Sequence, residues 1–116
     1  MSTVGSRQLL VVDDNPDILY LASKKLRAAG WDVLEAQDGV AAIQRIVDNP
    51  ACRRILADFV MPSLGGTYWV RFLERFCVGW TVVIMSSADV DPGPFIQIPK
   101  PVDYENLLTI FEREPT

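Results

Sequence analysis

The sequence predicts an α/β domain, a parallel sheet with helices on both faces, and three observations carry that prediction. Short apolar runs recur at Leu9 to Val12, Asp32 to Ala36, Arg54 to Asp58 and Thr81 to Met85. Between them lie segments with apolar residues every three or four positions, the period of an amphipathic helix. Capping and turn residues separate the two kinds, so the order is strict alternation of strand and helix through the fourth strand. Parallel neighbours need crossovers, and both sheet faces must be covered.

The first strand ends in Asp13-Asp14, and Asn15-Pro16-Asp17 then starts a helix: a capping side chain, proline at the first helical position and an acid in the first turn. Ile18, Ala22 and Leu26, with Leu19 and Ala29 beside them, form its apolar stripe until Gly30 stops it. After the second strand, Asp38-Gly39 breaks the chain, and Val40, Ile43, Ile46 and Val47 predict a helix ending near Asn49-Pro50. The third strand delivers Asp58 to the point where Met61-Pro62 and Gly65-Gly66 turn the chain away. Trp69, Phe72, Leu73, Phe76 and Cys77 give the next stripe, closed by Gly79, and the fourth strand runs into Ser86-Ser87.

There the rhythm breaks. Ala88 to Pro94 is too short and too rich in proline and glycine for a helix, so the fourth crossover is expected to be a loop. The last strand, Phe95 to Ile98, continues into Pro99, which cannot donate to a ladder, and this predicts an edge strand. Tyr104, Leu107, Leu108 and Phe111 predict a final helix starting at Asp103.

With 116 residues, 49% apolar and 22% charged, one globular domain spanning 1–116 is expected, with 1–7 as an arm and no effector domain. No apolar run reaches the roughly 18 residues of a membrane span, and residues 1–7 lack a signal-peptide core, so a cytoplasmic protein without membrane contact is expected. Cys52 and Cys77 fit no ligand spacing and are expected as free thiols. The absence of histidine removes Ser-His-Asp and Cys-His catalysis and His-ligated zinc. A net charge of −4, from 11 basic and 15 acidic residues, leaves no footprint for nucleic acid.

The strands thus bring Asp13-Asp14, Asp58, Ser86-Ser87 and Lys100 to their C-terminal ends, the edge where open α/β sheets carry their sites. Taken singly, Asp58 reads as a turn residue, Ser87 as a turn donor and Lys100 as a solvated cation. Together they read differently. Clustered carboxylates repel one another without a cation, and hard oxygen ligands of this kind suit Mg²⁺. An ammonium and a hydroxyl complete a cradle for a phosphoryl group, with Asp58 as the nucleophilic carboxylate.

At these residues the chain resembles the receiver domain of two-component response regulators, the family of the chemotaxis regulator. The acidic pair matches Asp13 and Asp14, the phospho-acceptor Asp58 in Asp58-x-x-Met61-Pro62, the hydroxyl Ser87 before Ala88, and the lysine Lys100 before Pro101. The resemblance implies a flavodoxin-like, doubly wound sheet of five strands in the order 2-1-3-4-5, and a cis bond before Pro101. It also implies Mg²⁺ held by Asp13, Asp14, Asp58 and the carbonyl of Val60, and a phosphohistidine donor on a histidine kinase or histidine phosphotransfer protein. On this reading the chain is a phospho-accepting signalling protein rather than an enzyme, a stand-alone receiver of a bacterial phosphorelay that acts on a protein target. Val60 and Asp89 are the side chains placed to tune phosphoryl lifetime.

Two departures stand out. The helix between the fourth and fifth strands is missing, and the family's switch aromatic is replaced by Gln97, with Phe95 two residues earlier on the same strand face. A thin loop there is expected to leave apolar surface around Val83, Phe95 and Gln97, a candidate interface for a target or a homodimer. The departures also keep open a pseudo-receiver, a binding module that works without phosphorylation. An aspartate-based phosphohydrolase needs a substrate cap, which the sequence does not supply.

Overall fold

Continuous apolar runs in the strands, whose successive side chains fill opposite sheet faces, and period-3.6 stripes in the helices build the layers the sequence predicts. The computed structural model describes residues 7–58, 66–86 and 95–112, without the side chains of 66–70. In chain order the elements are β1 (Gln8–Val12), α1 (Pro16–Ala28), β2 (Asp32–Ala36), α2 (Gly39–Asp48), β3 (Arg54–Asp58), α3 (Gly66–Phe76), β4 (Thr81–Ser86), β5 (Ile96–Pro99) and α4 (Tyr104–Phe111). The strands pair in parallel in the order β2-β1-β3-β4-β5, the flavodoxin-like order. Pro99 lies on the edge strand β5, where a missing N–H costs the ladder least. Residues 87–94, on which the expected loop falls, lie outside the described residues.

One face carries Leu9, Val11, Leu56, Val83, Met85 and Ile98 against α1 and α4, whose Leu26, Leu107 and Phe111 are fully buried. The opposite face carries Leu10, Val12, Ile55, Ala57, Val82 and Ile84 against Ala42 of α2 and Leu73 of α3. The buried Cys52 and Cys77 are free thiols in that second cluster, and burial pushes the Cys77 thiol up to about 12. Three helices begin where their caps stand. Asn15 Oδ1 accepts from Asp17 N and Ile18 N, Asp38 Oδ1 from Ala41 N, and Asp103 Oδ1 from Asn106 N. Gly30 takes φ +97°, the left-handed turn that ends α1.

Several expectations need correction. On α2 the ridge facing the sheet is Gly39, Ala42, Ile43 and Ile46, while Val40 and Val47 are 67% and 71% exposed. At 3.6 residues per turn those two valines stand roughly 100° from the centre of that ridge, so the apolar stripe is wider than the sector of the helix that the sheet covers. Phe76 is likewise exposed at the end of α3, stacked on the half-buried Phe72 at 4.9 Å. The fifth strand starts at Ile96, one residue later than expected.

The candidate interface changes most. Val83 pairs with Ile96 and Ile84 with Gln97, so Val83 lies on the α1/α4 face, away from Phe95 and Gln97. Val83 is fully buried, and Phe95 packs on the second cluster. These residues do not form one exposed apolar surface, because side chains one register step apart point to opposite faces.

At the N-terminal end of the sheet, Arg54 is almost fully buried. Its Nε donates to the Phe111 carbonyl at 2.7 Å, and its guanidinium lies 4.9 Å from the centroid of the Trp31 ring. Arg7 lies 3.9 Å from that centroid and pairs with Glu112 at 2.9 Å. The last turn of α4 is thereby tied to the start of β3, a cation meeting the negative end of a helix. Arg54→Met should lower unfolding free energy by about 1–3 kcal/mol by stranding a buried carbonyl. Arg7→Met, which removes an exposed pair with Glu112, a contact on the Trp31 ring and a long hydrogen bond to the Ala29 carbonyl but strands no fully buried charge, should cost less, about 1 kcal/mol. Urea unfolding of the two variants checks the contrast, and equal losses contradict the assignment.

Candidate functional site

Parity places the charged groups. Asp13 follows Val11 by two, Asp58 follows Leu56 by two and Lys100 follows Ile98 by two, and those three apolar residues share one face. Strands β1 and β3 are neighbours in register, Val12 opposite Ala57, so the first acid of the pair emerges beside Asp58. The ladder also runs one step past the strands: Asp13 N donates to Ala36 O at 3.1 Å, and Lys100 N to Ser86 O at 3.3 Å. Beyond Lys100 the bond to Pro101 is cis.

Carboxylate oxygens of Asp13, Asp14 and Asp58 lie within 4.8 Å of one another. Asp13 is fully buried, Asp58 is 7% exposed and Asp14 is exposed. The Lys100 ammonium stands 3.4 Å from Asp58 Oδ1 and 3.8 Å from Asp13 Oδ2. Asp13 Oδ1 accepts the Asn15 N–H at 2.9 Å, whereas Oδ2 is buried with no hydrogen-bond partner among the described residues. Burial is the largest influence on Asp13 and raises its pKa; the Asp58 and Asp14 charges add to it, against the Asn15 N–H and Lys100. Among the described residues one ammonium, that of Lys100, is paired with two of these three carboxylates, and like charges this close favour a bound cation. The donor set is hard oxygen throughout, and the orphaned Oδ2 adjoins it, so these residues fit a small hard divalent cation.

Of the residues the sequence singled out, Asp13, Asp14, Asp58 and Lys100 come together here. Ser87, Val60 and Asp89 lie outside the described residues, and Gln97 sits half-buried on β5 on the other sheet face. Ser86, the last residue of β4, is buried at the same edge. Sequence reasoning missed Asn15 as a donor to Asp13, because its capping signature accounted for it already.

The raised Asp13 carboxyl fixes a pH dependence. A folded-state value above the usual 3.8 means that the folded protein holds this proton more tightly than the unfolded chain. The group therefore favours folding in acid, and that contribution is lost as pH rises through the folded value. Without divalent cations, Asp13→Asn should melt at the wild-type temperature or a few degrees above it at pH 7, the gain vanishing below about pH 3.8. Thermal melts between pH 3 and 7 measure it, and a large loss of stability at pH 7 contradicts the account.

A family model described as the response regulator receiver domain matches residues 9–112. The chain is 37% identical over 110 residues to the transcriptional regulatory protein CpxR homolog of Haemophilus influenzae, covering 87% of this chain and 47% of that one. It is 26% identical over 107 residues to the transcriptional regulatory protein GlrR of Escherichia coli, covering 85% and 24%. It thus spans between about a quarter and a half of these relatives' length. Among solved structures it is similar to a response regulator receiver domain protein from Clostridium thermocellum, with a TM-score of 0.82, 24% identity and 90% of each chain covered. The chemotaxis protein CheY4 of Vibrio cholerae gives a TM-score of 0.77 at 24% identity, over 91% of this chain and 96% of that one. These two likenesses speak for the fold, and the family model adds the sequence; with its three acids and Lys100 gathered at the sheet edge, the chain belongs to the response regulator receiver domain family.

Proposed function

We propose that this receiver accepts a phosphoryl group on Asp58 from the phosphohistidine of a partner histidine kinase or phosphotransfer protein, in a Mg²⁺-dependent reaction, and signals through contacts with a protein target. The observation that carries the reading is the pairing of Asp58 with Lys100 at 3.4 Å inside a cluster of three carboxylates. In the reaction a carboxylate oxygen of Asp58 forms the new bond to phosphorus. The phosphorus–nitrogen bond of the donor breaks, its electron pair returns to the imidazole, and that nitrogen takes up a proton. Lys100, a mobile point charge already within reach of two carboxylates, turns to the incoming phosphoryl oxygens.

Asp13, Asp14, Asp58 and the Val60 carbonyl are the ligands proposed for Mg²⁺, which when bound offsets the charge shared by carboxylate and phosphoryl group. Ser87 is the hydroxyl proposed to meet the acyl phosphate. On this reading the accepted group stays on the chain's own Asp58, so we read it as a signalling protein rather than an enzyme. No helix of the described residues is long and apolar enough to cross a membrane, and we place the protein in the cytoplasm, where such a kinase would present its phosphohistidine. A phosphorylation-independent binding module is the second reading, and Gln97 in the switch position is the observation that favours it.

Incubation with a small-molecule phosphodonor and Mg²⁺ should add one phosphoryl group by intact mass, and Asp58→Asn should abolish the gain. An unchanged yield in that variant sinks the acceptor assignment, while no gain in wild type favours the second reading. Lys100→Ala should keep its Mg²⁺ affinity or raise it, since a competing ammonium is gone. It should still take up phosphoryl groups, but lose most of the amide chemical-shift change that follows. A wild-type shift pattern in phosphorylated Lys100→Ala removes lysine from the mechanism.

A further inference from the structure

We infer that Asn15 is a positioning residue for Asp13, an inference that rests on the proposed divalent-cation site. One residue joins two local structures. Its side-chain oxygen caps α1, accepting from Asp17 N at 2.9 Å and Ile18 N at 3.3 Å, while its carbonyl accepts from Leu19 N at 3.0 Å. Its own N–H points the other way and donates to Asp13 Oδ1 at 2.9 Å. The cap thus holds the peptide plane that holds the carboxylate. With Oδ1 committed to that peptide, Oδ2 is the oxygen left buried without a hydrogen-bond partner among the described residues, 3.8 Å from the Lys100 ammonium. Helix α1 is therefore part of the site's geometry without giving it a side-chain ligand. Its first turn sets the orientation of the carboxylate, and a frayed first turn releases the Asn15 peptide and lets the carboxylate rotate. Serine, which caps a helix as asparagine does, can do the same work at this position; alanine cannot.

The test compares wild type, Asn15→Ala and Asn15→Ser in the full chain, reading Mg²⁺ affinity by calorimetric titration with the metal alone, hydrogen exchange of the residue-15 amide, and melting temperature. Asn15→Ala should bind Mg²⁺ about fivefold more weakly, the fold-change that corresponds to about 1 kcal/mol of lost cap, and its residue-15 amide should exchange faster. Asn15→Ser should return both to within about twofold of wild type. A purely structural cap would lower the melting temperature of Asn15→Ala and leave Mg²⁺ affinity and residue-15 exchange at wild-type values, which would overturn the inference. If wild type binds no Mg²⁺, the cation site falls, and the exchange arm still decides whether the cap holds the Asn15 peptide against Asp13.

Discussion

Unslipped parallel pairing of β1 with β3 is the constraint on which the site depends. A shift of one residue in that register would move Asp58 to the opposite face from Asp13 and would exchange the residues that β3 gives to the two apolar clusters. Because both faces of the sheet are covered and closely packed, a slip one way would force Leu56 into the place of the smaller Ala57, and a slip the other way would leave a void where Leu56 had been. The apolar core is thus what aligns the carboxylates. Packing energy spread over many methyl groups holds together charges that repel one another.

That repulsion is only partly relieved. Lys100 reaches Asp58 and Asp13, and among the described residues Asp13 Oδ2 remains buried without a hydrogen bond. A protein selected for stability alone would remove such a group, since burying a carboxylate is costly and a half-satisfied polar cluster costs more than an apolar one. Uncompensated charge of this kind at the edge of an otherwise well-packed sheet marks the place where binding a cation would change the energy most. The rest of the domain is consistent with that division, with apolar clusters on both faces and capped helix starts.

The opposite end of the sheet uses charge for a different purpose. Arg54 is as buried as Asp58, but its Nε finds a carbonyl at the end of α4 and its guanidinium lies by the Trp31 ring. One strand, β3, therefore carries a buried cation at its start and a buried carboxylate, paired with Lys100, at its end. The first fastens α4 to the sheet, and the second joins the acid cluster. Placing both on the central strand gives the site its most rigid support, since β3 is paired on both sides and buried throughout.

The layers, the helix starts and the residues of the acid cluster are legible in local signals: short apolar runs against stripes of period 3.6, the cap at Asn15, the break at Asp38-Gly39, the start at Asp103, and acids at the ends of apolar runs. The parallel order followed from the family resemblance and the crossovers rather than from any single residue. Tertiary structure alone decided which side of each element is covered. Val40, Val47 and Phe76 look like core in sequence and stand in solvent, because an apolar residue is buried only if a neighbour covers its sector of the helix. Val83 parted from Phe95 and Gln97 for a related reason, since a strand's facing depends on its register with β5, which no local pattern encodes. Arg54 reads as surface charge until the end of α4, far along the chain, supplies its acceptor. Contacts between residues distant in sequence settled these points, and such contacts exist only once the chain has folded.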